Sequence, residues 1–371
     1  MPSLPVLIGG MILDVQAVPT AAYATQPGGT VPGQIKMTSG GVARNVAQCL
    51  ASLLGPENAP MLISIIGQDS AGDLLLQHWQ SLKLPCNGIL RKGGVSTPMT
   101  SYIFNQGGDV AASVADVKTV EDHLKPADLQ PFRFHLQQAS IVMLDANLSP
   151  ETLEAACHMA HAANVPIWFE PVSVPKSMAA GGAMSAAKQL HLLVPFLTSV
   201  LKAGVKHVML TLGSQGAALC TLRSGTDVLA QHLPALPARI VNTNGAGDCL
   251  VAGSLACLVQ GQTPISALAF GMAVAKEGLE GEGNVPAELS AQAHALSAAS
   301  KALLERMVTT SRRKQLAQTL RRPSAHVAQM LIRAPGMQGT SQGAEAAIQH
   351  VLSACNRSHM LGPVLKCVGL E

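Results

Sequence analysis

The chain has 371 residues, of which 48% are apolar and 13% are charged, and its net charge is +3. This length fits one large α/β domain or two ordinary ones, and the apolar fraction excludes general disorder. No run approaches the roughly 18 uncharged apolar residues of a membrane-spanning helix, so we expect no membrane association. Aromatic residues make up only 3% of the chain, which argues against the stacking platforms that bind single-stranded nucleic acid.

The charge is distributed unevenly along the chain. Residues 291–371 contain ten Lys and Arg and three acidic residues, whereas residues 1–290 contain 15 basic and 19 acidic residues. Such a shift often marks a domain boundary. We therefore predict a first domain over residues 1–290 and a basic tail over residues 291–371 that is partly helical or disordered. We expect the core to fold without this tail, and contact of the tail with nucleic acid or a membrane surface is the less favoured interpretation.

The beginning of the chain and its cysteines indicate a cytoplasmic protein. No Lys or Arg precedes Lys36, whereas secretory and mitochondrial leaders carry basic residues. None of the eight cysteines belongs to a Cys-x-x-Cys pair, so we do not expect a zinc site. We predict a protein with reduced cysteines in the cytoplasm.

Predicted strands and helices alternate along the chain. The strands lie, in order, at 6–13, 62–66, 101–104, 110–114, 140–144, 165–169, 205–212 and 238–241. Helices are predicted up to residue 54 from a Gly-Gly start, at 71–82, from residue 150 onward and at 249–260. This alternation indicates an α/β fold with a doubly wound, mostly parallel sheet, whose ligands bind beyond the carboxyl ends of the strands. The polar residues at those ends are Asp14, Asp69, Asp145, Glu170, Thr211 and Asn242.

The sharpest motif is the segment 242–248, Asn-Thr-Asn-Gly-Ala-Gly-Asp, which precedes an apolar helix. Glycines let the backbone approach an anion closely, and the N–H groups at a helix N-terminus point at that anion. A carboxylate in the first helical turn lies where a substrate hydroxyl could give up its proton. The motif therefore predicts a phosphoryl-transfer site with an anion hole at Gly245, Ala246 and Gly247 and a base at Asp248. A glycine-rich turn with an aspartate that supports the helix start is the plainer alternative.

Two further glycine-containing segments are weaker signals. The segment 39–45, Ser-Gly-Gly-Val-Ala-Arg-Asn, begins a predicted helix, and the amide of Asn45 offers a donor and an acceptor to sugar hydroxyls. The segment 211–216, Thr-Leu-Gly-Ser-Gln-Gly, follows a predicted strand, and Gly213 and Gly216 could let the loop lie against a nucleotide. Each segment alone is more typical of a tight turn than of a binding site.

Taken together, these motifs resemble those of the ribokinase-type (PfkB) sugar and nucleoside kinases. The resemblance covers about residues 5–290. Its most specific part is Gly-Ala-Gly-Asp at 245–248, and the segments 40–45 and 67–69 support it in the same order. It implies a ribokinase-like central sheet with helices on both faces and a small β-lid over the sugar.

Within this family the chain is most similar to the eukaryotic pseudouridine kinases. The similarity is carried by Gly-Gly-Val-Ala-Arg-Asn-Val-Ala at 40–47, Leu-Asp-Ala-Asn-Leu at 144–148 and Phe-Glu-Pro-Val-Ser at 169–173. The segments 15–38 and about 90–117 occupy the positions of the lid. The resemblance also implies that a homodimer could form through this lid.

The resemblance implies a role for each candidate residue. Asp248 would be the general base on the ribose 5′-hydroxyl, the backbone of residues 245–247 would form the anion hole, and Glu170 would help to hold Mg²⁺. The substrate would be held by Asp14, Gly40, Gly41, Asn45 and Asp145. The nucleotide would be bordered by Thr211, Gly213, Gly216 and Asn242. The implied cofactors are ATP and Mg²⁺, with a monovalent cation as an additional candidate.

The implied function is ATP-dependent phosphorylation of the 5′-hydroxyl of a ribonucleoside, with pseudouridine as the first candidate. A kinase for another sugar or nucleoside, such as ribose, adenosine or fructose, is an alternative. A second alternative is a weak or inactive variant that binds a nucleoside or a protein partner without turnover. Relatives carry an Asn-x-x-Glu strand after the Glu-Pro strand, whereas residues 171–226 contain no acidic residue and residues 177–187 are a featureless stretch. We therefore expect that strand to be missing and the Mg²⁺ requirement to be high.

Overall fold

The computed structural model describes residues 3–20, 29–105, 110–172, 186–225, 227–287, 289–311 and 364–370. These residues form a ten-stranded sheet covered by helices and a separate four-stranded sheet. The strands are β1 Val6–Ile8, β2 Ile12–Pro19, β3 Gly33–Gly40, β4 Met61–Gly67, β5 Ile89–Lys92, β6 Met99–Phe104, β7 Val110–Asp116, β8 Val142–Asp145, β9 Ile167–Glu170, β10 Val205–Leu212, β11 Ala217–Ser224, β12 Asp227–Leu233, β13 Val308–Ser311 and β14 Val364–Leu370. The helices are α1 Val42–Leu54, α2 Ser70–Ser81, α3 Lys118–His123, α4 Pro126–Leu129, α5 Arg133–Gln138, α6 Pro150–His161, α7 Ala186–Lys202, α8 Ala246–Val259, α9 Pro264–Glu280 and α10 Ala293–Glu305.

The large sheet is parallel over most of its width. Its strand order is β13-β12-β11-β10-β14-β9-β8-β1-β4-β5. The seven strands from β10 to β5 in that order are parallel, and β11, β12 and β13 extend the sheet in antiparallel fashion. The carboxyl ends of the parallel strands therefore share one edge. This confirms the predicted α/β fold with a mostly parallel sheet.

Hydrophobic clusters cover both faces of this sheet. Successive residues of β1 show the alternation, since Val6 and Ile8 belong to one cluster and Leu7 belongs to the other. Helices α3 to α7 contribute to the first cluster, and α1, α2, α8, α9 and α10 contribute to the second. Strands buried on both faces account for the nearly continuous apolar runs in the sequence. Among the helices in the described ranges, none combines the length and the apolar character needed to cross a bilayer.

The four-stranded sheet is the lid expected from the resemblance. Its strand order is β3-β2-β6-β7. β2 pairs with β3 from Ile12↔Gly40 to Pro19↔Gly33, and it runs parallel to β6 from Leu13↔Met99. The lid strands thus come from the two predicted lid segments, of which residues 21–28 and 106–109 lie outside the described residues.

Two predicted strands differ from the structure. The run 6–13 is divided into β1 and β2, so Asp14 lies inside a lid strand and not at the end of a strand of the large sheet. The division occurs at two glycines, and a Cβ atom at Gly9 would lie 2.1 Å from the carboxyl group of Asp145. Residues 238–241 form no strand, and Ile240 is 67% exposed.

Residues beyond the predicted boundary at 290 pack against the fold, and that the core folds without them stays a prediction. Leu296 and Leu303 of α10 are fully buried in the second cluster. β13 pairs with β12 at one edge of the large sheet. Counting charges missed these contacts because apolar residues at helical spacing can pack while the basic residues between them stay solvated.

Strand β14 occupies the position at which we expected a strand to be missing. It lies between β9 and β10 and is parallel to both, from Val205↔Val364 to Leu212↔Leu370 and from Ile167↔Val364 to Phe169↔Lys366. The large sheet is therefore continuous, and a segment near residue 370 fills the gap. β14 contains no acidic residue. Residues 173–185, which cover most of the featureless stretch, lie outside the described residues.

Candidate active site

The start of α8 leaves its first backbone N–H groups without a side-chain cap. Gly245 precedes the helix in the left-handed conformation, with φ 79°, and no side chain caps the helix. A Cβ atom at Gly245 would lie 2.1 Å from the carbonyl oxygen of Asn284, so only glycine fits. The first N–H groups of a helix have no intrahelical acceptor. The space above Gly247 is open, because a Cβ atom there would meet nothing within 4 Å.

Asp248 lies in the first turn of α8 and is held by α1. Asn45 Nδ2 donates a hydrogen bond of 2.7 Å to Asp248 Oδ2. The structure thus brings together two residues that the sequence analysis assigned separately, one as the base and the other as a sugar ligand. A carboxylate beside uncapped N–H groups can accept a proton from a hydroxyl that attacks an anion bound there.

The Gly40–Gly41 turn positions α1 against the lid strand that carries Asp14. Gly41 has φ +94°, and a Cβ atom there would lie 2.4 Å from the carbonyl oxygen of Gly10. A Cβ atom at Gly40 would lie 2.1 Å from Asp14 Oδ2. Both positions therefore require glycine, and the backbone of the turn lies directly against the Asp14 carboxyl group.

The Asp14 carboxyl group titrates near the physiological range. Burial raises the pKa of Asp14 to about 6, whereas a hydrogen bond from Asn284 and the positive charge of Arg44 act in the opposite direction. Asn284 Nδ2 also donates to the carbonyl oxygen of Ser39 at 3.1 Å. Asn284 therefore connects the lid strands to the loop that lies over Gly245.

The structure gives Asp145 a different role from the substrate binding that we expected. Its side chain is fully buried. Its oxygens accept hydrogen bonds from the backbone N–H groups of Gly10 at 2.8 Å, Asn147 at 3.0 Å and Ala43 at 3.3 Å. Burial raises the pKa of Asp145, and these hydrogen bonds oppose the increase. Asp145 therefore holds the β1–β2 junction and the start of α1 in place, and its carboxylate has no surface to offer a substrate.

Glu170 is buried at the end of β9, next to Asp145 in the adjacent strand. Burial, reinforced by the negative charge of Asp248, raises the pKa of Glu170 to about 8. Its Oε2 atom has no hydrogen-bond partner among the described residues. An unpartnered buried carboxyl oxygen fits an oxygen-liganded cation or its water shell. Within the described part of the chain, no group of three or more His, Cys, Asp or Glu side chains could hold a metal ion by itself.

The candidate nucleotide residues lie on two other elements. Thr211 is near the end of β10, and Gly213 and Gly216 form the turn into β11 with φ of 54° and 95°. Asn242 lies in the loop before α8, where its Oδ1 accepts from the N–H of Asn244 at 2.9 Å. Its Nδ2 donates to the carbonyl oxygen of Glu282 at 3.2 Å, so Asn242 shapes the loop that leads to Gly245.

Asp69, another polar residue after a strand, has a structural role. It caps α2 by accepting from Gly72 N–H at 2.8 Å. It also accepts from the N–H and hydroxyl of Thr97 at 2.8 Å and 2.6 Å. These bonds join the second strand–helix turn to the segment that leads into the lid.

Sequence reasoning missed two residues of the site, Arg44 and Asn284. Arg44 is 2% exposed, although an arginine in the first turn of a helix usually suggests a solvated position. The signal that could have found it is its place between two helix-start glycines and Asn45. Asn284 follows α9 in a loop, and nothing in its local pattern indicates contacts with residues near positions 14 and 39.

The chain has relatives among proteins named as kinases. The chain is 37% identical over 357 residues to the pseudouridine kinase of Arabidopsis thaliana, covering 76% of this chain and 92% of that protein. It is 27% identical over 280 residues to the pseudouridine kinase of Escherichia coli, covering 69% of this chain and 84% of that protein. The structure of Arabidopsis thaliana ribokinase complexed with ribose and ATP matches with a TM-score of 0.66 at 18% identity, covering 81% of this chain and 99% of that one. At that identity the likeness shows the fold.

A family model described as pfkB family carbohydrate kinase matches residues 3–198 and 182–287. The two matches meet inside the interval that contains no acidic residue. Together they include every residue described above from Asp14 to Asn284. The chain therefore belongs to the pfkB family of carbohydrate kinases.

Proposed function

We propose that this chain transfers the terminal phosphoryl group of ATP to the 5′-hydroxyl of a ribonucleoside, with pseudouridine as the first candidate. The observation that carries the proposal is the contact between Asn45 and Asp248 beside the uncapped start of α8. The relative from Arabidopsis thaliana, a pseudouridine kinase of which 92% is covered, supports the choice of substrate. Ribose, adenosine and fructose are the alternatives to be compared.

In the proposed reaction, the substrate 5′-oxygen forms a bond to the terminal phosphorus as the bond from that phosphorus to the bridging oxygen of ATP breaks. The hydroxyl proton passes to the Asp248 carboxylate, and ADP leaves with the bridging oxygen. The N–H groups of residues 245–247 stabilise the charge that develops on the transferring group. The open space above Gly247 leaves room for that group.

The sugar would bind between the lid and α1. Asp14 and Asn45 present a carboxyl group and an amide on either side of the Gly40–Gly41 turn. Asp14 is half-buried, and in its ionised form it can accept hydrogen bonds from two neighbouring hydroxyls. Thr211, Gly213, Gly216 and Asn242 would border the nucleotide.

Glu170 is the residue that would help to hold Mg²⁺. When bound, Mg²⁺ would neutralise phosphate charge, and Glu170 would accept hydrogen bonds from the waters that the ion keeps. Glu170 must lose its proton to take this role, and a nearby cation favours that loss. A monovalent cation as a further cofactor stays a prediction.

A weak or inactive kinase is the second candidate function, and one observation favours it. The strand between β9 and β10 is β14, whose only charged residue is Lys366. The acidic strand motif that the resemblance led us to expect at this position is therefore replaced by a strand with a basic residue. Loss of one outer partner of a metal typically costs about 10–100-fold in affinity or activity.

We also propose that two copies associate through the lid and that the protein is cytoplasmic. The lid strands expose large apolar side chains, namely Val18, Ile35, Met37, Ile103, Val110 and Val114. A charged residue at one of the two most exposed of these positions, as in Ile35→Glu, should shift the sedimentation coefficient to that of a monomer. Six cysteines, at positions 49, 86, 157, 220, 249 and 257, are free thiols, which supports a reducing compartment.

The proposed function is tested by coupled ADP release with pseudouridine, uridine, adenosine and ribose at increasing Mg²⁺. The main proposal expects turnover that is highest with pseudouridine. Binding of pseudouridine without ADP release at any Mg²⁺ concentration would favour the inactive variant. Release with ribose but with none of the three nucleosides would exclude the nucleoside assignment.

A further inference from the structure

Arg44 is a buried cation at the centre of the site. It lies in the first turn of α1 and is 2% exposed. Burial lowers the pKa of Arg44 to about 10, and the negative charges of Asp248 and Asp14 oppose this decrease. Burial of a guanidinium is costly unless its donors are satisfied. The contacts of Arg44 therefore show what holds it there.

The two Nη groups of the guanidinium face four acceptors, whereas Nε has no partner among the described residues. Nη1 donates to the carbonyl oxygen of Ser39 at 2.8 Å and to Asn45 Oδ1 at 2.5 Å. Nη2 donates to Gln48 Oε1 and lies 3.1 Å from His78 Nε2. Because a guanidinium can only donate, His78 Nε2 must be an acceptor, so the ring is neutral. The pKa of His78 is lowered by burial and by the charge of Arg44, which agrees with a neutral ring.

The contact with Asn45 has a consequence for Asp248. A side-chain amide has one accepting end and one donating end. Arg44 takes the accepting oxygen of Asn45, so the amide nitrogen points to Asp248 Oδ2, at 2.7 Å. The reversed amide would place its oxygen against a carboxylate and its N–H₂ against a guanidinium, which loses both hydrogen bonds.

We propose that Arg44 is a positioning residue that fixes the orientation of the Asn45 amide and, through it, the position of the Asp248 carboxylate. This inference rests on the proposed role of Asp248 as the base. Arg44 acts through its hydrogen bond to Asn45 and through the attraction between its positive charge and Asp248. A carboxylate held by one oriented donor reaches the attacking hydroxyl in a single geometry, and misplacement of about 1 Å can cost about 100-fold in rate.

The kinetic test uses Arg44→Lys, which keeps the charge but cannot form the planar fork of donors. We expect kcat to fall about 10–100-fold with a smaller change in KM. In Arg44→Lys/Asn45→Ala the fall should be no greater than in Asn45→Ala alone, because Arg44 acts through Asn45. Arg91→Lys is the matched control. Arg91 lies on β5 and donates to Asp73 of α2 at 2.7 Å, so kcat should stay unchanged in this variant. Additive losses in the double variant would overturn the proposal.

A spectroscopic test is independent of turnover. In the ¹⁵N-labelled full chain, we expect the Asn45 side-chain amide protons to be shifted downfield by the carboxylate. Asp248→Asn should remove the shift, and Arg44→Lys should broaden the signals as the amide samples both orientations. If Arg44→Lys does not fold, Gln48→Ala removes one acceptor of Arg44 and should produce a smaller change of the same kind. Unchanged Asn45 signals in the folded Arg44 or Gln48 variant would contradict the proposal. If the parent shows the downfield shift of the Asn45 amide protons but has no kinase turnover, only the proposed function would be contradicted.

Discussion

Asp145 and Glu170 occupy paired positions at the carboxyl ends of the adjacent parallel strands β8 and β9. The Asp145 oxygens accept three backbone hydrogen bonds, whereas Glu170 Oε2 has no partner among the described residues. Burial raises the pKa of both carboxyl groups, that of Glu170 to about 8. One carboxyl group is thus built into the backbone network. The other takes a hydrogen bond from the Val172 backbone but keeps one oxygen without a partner in the described part of the chain, which fits the proposed cation role.

Folding stability should depend on pH through Glu170. Its pKa is about 8 in the folded protein and 4.5 ordinarily, so the folded state binds this proton more tightly than the unfolded state. The stabilisation is fully present below pH 4.5 and is lost as the pH rises to about 8. We expect Glu170→Gln to flatten the dependence of the melting temperature on pH between about 6 and 8 in the absence of Mg²⁺ and nucleotide.

Asp14→Asn is the control for this measurement. The pKa of Asp14 is raised from 3.8 to about 6, so its contribution has the same sign but a lower window. Asp14→Asn should flatten the dependence of the melting temperature on pH between 3.8 and about 6. It should leave that dependence unchanged between about pH 6 and 8. If the melting temperature of the parent and of Glu170→Gln changes equally with pH between about 6 and 8, Glu170 is ionised in the folded protein.

Gly245→Ala should destabilise the protein more than Gly261→Ala. Both glycines are left-handed, with φ of 79° and 76°, but a Cβ atom would collide with Asn284 only at Gly245. Each substitution costs about 1–2 kcal/mol of backbone strain, and the collision adds to that cost only at Gly245. Thermal melts of the two variants measure the difference. Equal losses of stability would show that Asn284 does not lie over Gly245.

Lys366→Pro should be strongly destabilising, whereas Lys366→Ala should not. Lys366 pairs with Val208 of β10 and with Phe169 of β9, so its backbone lies in the interior of the sheet. Proline removes an N–H group that a central strand uses in its ladder, and a buried acceptor left without its donor costs about 1–3 kcal/mol. Alanine keeps the backbone bonds. Urea denaturation of both variants measures the contrast. Similar midpoints would show that β14 is not part of the sheet.

The alternation of strands and helices could be predicted from the sequence where an element has a clear local pattern, as in β4, β8, α6 and α8. The helices α7 and α9 and the strands β11 and β12 were not predicted. The Gly40–Gly41 start of α1 and the glycine-rich start of α8 were visible in the same way. The division of the run 6–13 was not visible, because it follows from the close approach of Asp145 to Gly9, which is distant in sequence. The sequence of an apolar run does not show which distant residue will contact and interrupt it.

The position of β14 and the burial of Arg44 could not be predicted for a related reason. β14 reaches the centre of the sheet from the end of the chain, and its neighbours β9 and β10 are more than 150 residues earlier. Arg44 can be buried because three elements supply its acceptors. These are Ser39 of β3, Asn45 and Gln48 of α1, and His78 of α2. Both features depend on contacts that are assembled only in the folded chain.

The central claim is that Asp248 is the base of a nucleoside kinase. The most direct measurement is ADP release by the parent and by Asp248→Asn with pseudouridine and saturating ATP, together with pseudouridine affinity by calorimetry. Loss of a general base costs about 10²–10⁴ in rate, so we expect turnover to fall by that factor while pseudouridine still binds. Turnover by Asp248→Asn within about threefold of the parent would contradict the account.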